Sequence, residues 1–314
     1  MKGLAGGGQS AAVLMLLAAS VLWGTTGTAA AQARDVSPLA IGAASLGIGG
    51  LLQAVLGARS MKAARIPLVI NRRLVFLGAL GILVYPLAFY SSMHLGGVAL
   101  GTVISLGTAP LFSGLLERFI DGIKLTSRWY LAAALGIAGS TLLGFARAAG
   151  DGGTAGTVIA SCLLGLAAGA SYAVYSWAAG RLMANGIPRK AAVGAVFGLG
   201  GLLLMPVLLA TGAPLVQDPL NFAVAAYLAL VPMFLGYILF GIALSRVPAS
   251  TATTVTLSEP AVAAALAVFL LGERVGLMGW VGMVLIAAAL AVLLLRPRAM
   301  ARSRCQTAAL LSAD

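Results

Sequence analysis

Ten apolar stretches of 18 to 25 residues run through this chain, at positions 11–31, 37–58, 74–93, 97–117, 129–146, 155–179, 190–211, 221–245, 249–271 and 276–295. A helix rising about 1.5 Å per residue needs about 20 such residues to cross the ~30 Å hydrocarbon layer of a bilayer. Lipid offers nothing to backbone N–H and C=O groups, and runs of this length satisfy those groups internally as helices. With 61% hydrophobic and only 9% charged residues, a soluble globule would expose far too much apolar surface. The expected fold class is all-α and polytopic, with ten transmembrane helices. The connections, among them Asp35 to Pro38, Gly96-Gly97, Gly150 to Gly153, Gly186 to Pro188 and Gln217 to Pro219, leave no room for a soluble domain.

Landmarks of the first half return in the second at a nearly constant distance. Trp23 recurs as Tyr172, Pro38 as Pro188, Pro110 as Pro260 and Trp129 as Trp280, at offsets of 149, 150, 150 and 151 residues. Five stretches fall in each half, and an odd number sends the second half into the membrane from the opposite side. Two inverted five-helix repeats are therefore expected. Such repeats characterise secondary transporters, whose substrate sites lie near the midplane where the halves meet.

The formal charge of +12 would suggest nucleic acid if it were clustered on a soluble domain. Its distribution says otherwise. With the N-terminus in the cytoplasm, 17 of the 20 basic residues fall inside and only Arg34, Arg147 and Arg274 fall outside. That bias predicts a multi-pass membrane protein with both termini cytoplasmic, and no nucleic-acid partner. Lys2, the apolar run from Ala11 to Leu22 and Ala29-Ala30-Ala31 also match a signal peptide and its cleavage site. Cleavage there would remove the counterpart of the stretch bearing Tyr172. Cys162 lies in a span and Cys305 in the basic tail, so no disulfide is expected.

Glu259 lies ten residues into its span, about 15 Å along a helix and so near the middle of the bilayer. A carboxyl there is costly unless it is protonated, paired or facing water, which marks it for substrate binding or coupling. Protonated Glu259 is cheap to bury, whereas the ionised form needs a cation or water, so protonation and cargo can compete and proton coupling is a candidate. Thr251, Thr254, Ser258 and Glu259 share one helix face, a polar stripe whose hydroxyls can alternatively bond their own helix. Pro110 and Pro260 each remove a backbone donor in corresponding helices and are expected helix breaks.

Trp23, Tyr172 and Tyr175 lie inside spans one and six, away from the interfacial belt, and are expected to line a cavity suited to an amphipathic or cationic small molecule. Tyr85, Phe89, Tyr90 and Tyr237 can join them or serve as core. Trp129 and Trp280, at span starts, read as interfacial anchors. The glycine pairs Gly97/Gly101, Gly165/Gly169 and Gly194/Gly198 read as helix-packing surfaces. His94 has no Cys, Asp or Glu at ligand spacing, so no metal is expected. With no phosphate-binding loop, neither ATP nor another cofactor is called for.

Ser258-Glu259-Pro260, then Leu271-Gly272-Glu273-Arg274, then Trp280-Val281-Gly282, together with Leu22-Trp23-Gly24 in the first span, resemble the EamA-like branch of the drug/metabolite transporter superfamily. The similarity extends over nearly the whole chain. At the position of Glu273 the first half instead has Ile123, with Asp121 two residues earlier. The resemblance implies a protein of the bacterial inner (cell) membrane, with a first EamA-like repeat at 1–149, a second at 150–296 and a basic cytoplasmic tail at 297–314. It also implies movement, often outward, of a small polar or amphipathic metabolite such as an amino acid. Two other classes are distinguishable from this one. An intramembrane serine protease would rest on Gly169-Ala170-Ser171 with His94 as base, and a membrane scaffold would need no midplane acid. The transporter reading assigns no catalytic residue. The cargo and the oligomeric state are not fixed by the sequence.

Overall fold

A computed structural model describes residues 5–148, 155–262 and 276–294. The Leu271 to Arg274 motif and the tail at 297–314 lie outside the described residues. Within them the chain is helical and contains no strand. The principal helices are α1 (Ala5–Trp23, extended by Thr26–Ala30), α2 (Pro38–Ala63), α3 (Arg72–Gly97), α4 (residues 98–119) and α5 (Ser127–Ala148). After them come α6 (Ala155–Ala184), α7 (Arg189–Thr211), α8 (Pro219–Leu244), α9 (residues 249–262) and α10 (Leu277–Leu294).

Six of these, α1, α2, α3, α6, α7 and α8, are long and apolar enough to cross a bilayer. The chain is a multi-pass membrane protein. Its outer faces carry large apolar side chains such as Leu14, Val55, Leu163, Leu209 and Val284, exposed where lipid would cover them.

Glycines set how the helices pack. The pair Gly194 and Gly198 on α7 abuts Gln53, Ala54 and Gly57 of α2, and Gly165 and Gly169 on α6 abut Ile104, Ser105 and Thr108 of α4. Small residues at these crossings let backbones approach closely. Gly97 does something else. Its φ of 80° and ψ of 154° lie in a region reserved for glycine, and there the chain turns from α3 into α4. The expected break at Pro110 is not where α4 departs from helical geometry: the backbone stays helical on both sides of that proline.

Three other segments depart from the α-helix. Ala43–Ile48 of α2 and Ala229–Leu235 of α8 form π turns, and Thr256–Ser258 of α9 tightens to a 3-10 turn just before Glu259 and Pro260. Pro232 lies within the π turn of α8 and brings no N–H of its own. Side chains from other helices bond carbonyls of this turn: Trp23 Nε1 donates to the Pro232 carbonyl at 2.9 Å, and Gln53 Nε2 to that of Phe234 at 2.7 Å.

Trp129 is corrected by the structure. It does not face the membrane surface as an anchor but is buried, its ring lying against the gap left by Gly114. Trp280, by contrast, is exposed. A helix start reads as interfacial only when no other helix crosses it, and α4 crosses the start of α5.

Candidate functional site

The irregular turns of α2, α8 and α9 converge on one pocket, whose atom-free space of about 390 Å³ includes its opening to solvent. Glu259 opens onto it from α9, Trp23 and Thr26 from α1, and Tyr172 from α6. α3 contributes Tyr85, Pro86, Phe89 and Tyr90, α2 contributes Ser45 and Leu46, and α8 contributes Met233 and Tyr237. Basic residues at the ends of α2, α4, α6 and α8 and the starts of α5 and α7 define one end of the bundle. Lining residues Thr26, Phe89 and Tyr90 lie nearer the opposite ends of their helices.

Aromatic rings form most of its wall. The Trp23 ring is 4.9 Å from Tyr237 and meets Tyr172 edge-on at 6.5 Å. Tyr85 stacks on Phe89 at 5.5 Å and packs against Tyr172 at 5.5 Å. Behind this wall Tyr172 stacks on Tyr175 at 5.2 Å, and the Tyr175 and Tyr237 hydroxyls pair at 2.7 Å. Tyr172 in turn bonds Thr256 at 3.0 Å, in the turn that carries Glu259 inward. Gly236 lies under the Trp23 indole, where a Cβ would sit 2.6 Å from Nε1.

One acid on the wall lacks a partner. Glu259 is 7% exposed, and no hydrogen bond or ion pair engages its carboxyl among the described residues. The Tyr90 hydroxyl is buried beside the Ser45 side chain. Buried polar groups are nearly always satisfied, and an unsatisfied carboxyl in a cavity calls for a ligand or water.

Of the residues expected from the sequence, Trp23, Tyr172 and Glu259 line the same cavity. Tyr175 stands one layer behind. Thr254 and Ser258 are buried, but each hydroxyl bonds its own helix, to the carbonyls of Ser250 at 2.7 Å and Val255 at 2.9 Å. Pro260 is buried directly after the 3-10 turn. Thr26 and Ser45 are lining residues that sequence reasoning did not single out, since a lone hydroxyl in an apolar helix carries no signal of its face. His94 is exposed and Ser171 half-buried on α6. Among the described residues no three metal-binding side chains gather.

The comparisons with known proteins agree with one another. The model of the EamA-like transporter family matches residues 10–145 and again 159–295. "Uncharacterized transporter YwfM" of Bacillus subtilis (strain 168) is 34% identical over 288 residues, covering 91% of this chain and 94% of its own. A protein of known crystal structure superposes with a TM-score of 0.73 over 90% of this chain and 96% of its own, at 23% identity, a likeness of fold alone.

Proposed function

Because the chain belongs to the EamA-like transporter family, we propose that it is a secondary transporter that exports a small amphipathic metabolite bearing a cationic group, such as an amino acid or a related amine, by alternating access. The observation that carries the reading is the unpaired Glu259 carboxyl in an aromatic cavity whose walls come from both matched stretches, Trp23 from the first and Tyr172 from the second. Ring faces attract cations, and a carboxylate removed from water is stabilised by the charge of an ammonium group. Such a cargo satisfies both features at once, and protonation of Glu259 releases it by removing the negative partner.

The two stretches matched by one family model support division into repeats of five helices, and the 17 to 3 bias of basic residues supports an inner-membrane protein with both termini cytoplasmic. Rocking of the repeats about the cavity is the motion this organisation favours. The test is Glu259→Gln in proteoliposomes with an imposed proton gradient. Glutamine keeps shape and most hydrogen bonding but does not titrate. Gradient-driven transport of an amine panel is expected to fall at least ~100-fold while the protein remains inserted and monodisperse. Transport equal to the parent's between about pH 5.5 and 8 would make the residue structural.

A further inference from the structure

At the basic end of the bundle, two carboxyl groups four residues apart reach from the end of α4 to helices of the other matched stretch. Glu117, only 3% exposed, accepts the Ser250 backbone N–H at 3.0 Å and the Ser250 hydroxyl at 2.5 Å. Helix α9 begins at Ala249 with no capping side chain of its own, so a carboxylate from α4 satisfies one of its free N–H groups. Asp121 accepts the Trp177 indole N–H at 2.7 Å and pairs with the Arg181 guanidinium, both on α6. One residue pins α4 to α9 and the other pins it to α6.

We infer that Glu117 and Asp121 are the latch of the inner gate, positioning residues that hold the basic end shut and set the register of α9, the helix that carries Glu259. The inference rests on the alternating-access reading. A buried carboxylate is tolerated when its hydrogen bonds are complete and equally when it is hydrated, but a half-open arrangement leaves it with neither. Separating α4 from α9 therefore favours full entry of water over a small gap, which gives the gate two discrete states. Ser113, one turn before Glu117 on α4, has a buried hydroxyl without a partner among the described residues.

The test uses full-length protein with Cys162 and Cys305 replaced by serine and one reporter cysteine at a time. Ser113→Cys reports opening of the basic end and Ser45→Cys reports access to the cavity from the opposite end. Membrane-impermeant maleimide is applied to vesicles of each orientation. Glu117→Leu combined with Asp121→Asn is expected to raise labelling at position 113 about tenfold and to lower labelling at 45 by a similar factor, because a two-state equilibrium trades one access for the other. Ser250→Ala, which keeps the backbone bond to Glu117, should produce a smaller shift in the same direction and carries the test if the double variant does not insert. Labelling that rises at both positions, or changes at neither, overturns the latch. A parent protein labelled from both sides at once defeats alternating access itself. Reciprocal labelling in the parent without response to the variants defeats the latch alone.

Discussion

Glu259 and Glu117 are both buried glutamates in a lipid-embedded bundle, yet their surroundings are opposite. Glu117 receives two hydrogen bonds from Ser250, and its neighbour Asp121 is held by Trp177 and Arg181. Glu259 meets no donor among the described residues and faces a space walled by rings. Polar groups that complete one another hold helices together, whereas polar groups left incomplete in a cavity are available to something that comes and goes. The difference separates fixing from binding within one protein, and it ranks what substitutions should do.

The largest effect after loss of the Glu259 charge is expected from pushing on the Trp23 wall of the cavity. Gly236→Val places a branched side chain where even a Cβ would meet the Trp23 indole. Transport should fall at least ~10-fold with little loss of inserted protein, since the strain acts on a wall already bordering empty space. Transport assayed beside detergent-solubilised yield checks this, and parent-like activity would mean that cargo does not pass Trp23. A middle effect is expected at the partition behind the rings. Tyr237→Phe strands the Tyr175 hydroxyl, which is fully buried, at a cost of about 1–3 kcal/mol. Thermal unfolding in detergent should reveal it, and a matching loss in Tyr175→Phe that is not additive in the double variant would confirm one shared bond. The smallest effect belongs to Thr254→Val. Its hydroxyl bonds the Ser250 carbonyl of its own helix, so transport should stay within about twofold of the parent. A large loss there would return the hydroxyl stripe to the binding site.

Glu259 was legible from sequence because depth in a span can be counted and a carboxyl at the midplane has few innocent explanations. Trp23 and Tyr172 were legible through the repeat. Glu117 was not, since it falls at the end of a span, where a charge normally meets water, and only the crossing of α9 buries it. Trp129 misled for the same reason. The turn at Gly97 falls at the Gly96-Gly97 connection expected between two spans, whereas the π turns were hidden: helices apolar on all sides carry no periodicity from which a change of phase can be read. Pro110, the more conspicuous residue, leaves its backbone helical. Position along a membrane helix is thus readable from sequence, while the angular direction of a side chain waits on its neighbours.

The π turn in α2 has a consequence for that angular direction. Each residue advances an α-helix by about 100°, so one extra residue in a turn rotates everything beyond it by that amount. Within Ala43–Ile48, Ser45 and Leu46 present themselves to the cavity. Beyond it, Gly50, Ala54 and Gly57 present a flat glycine-rich seam to α7. The turn acts as a phase shifter that lets a single rod serve two masters on different sides. Deleting one residue from this segment would regularise the helix while turning one of those faces toward lipid, so a shortening that looks conservative on paper should be among the least tolerated edits in the chain.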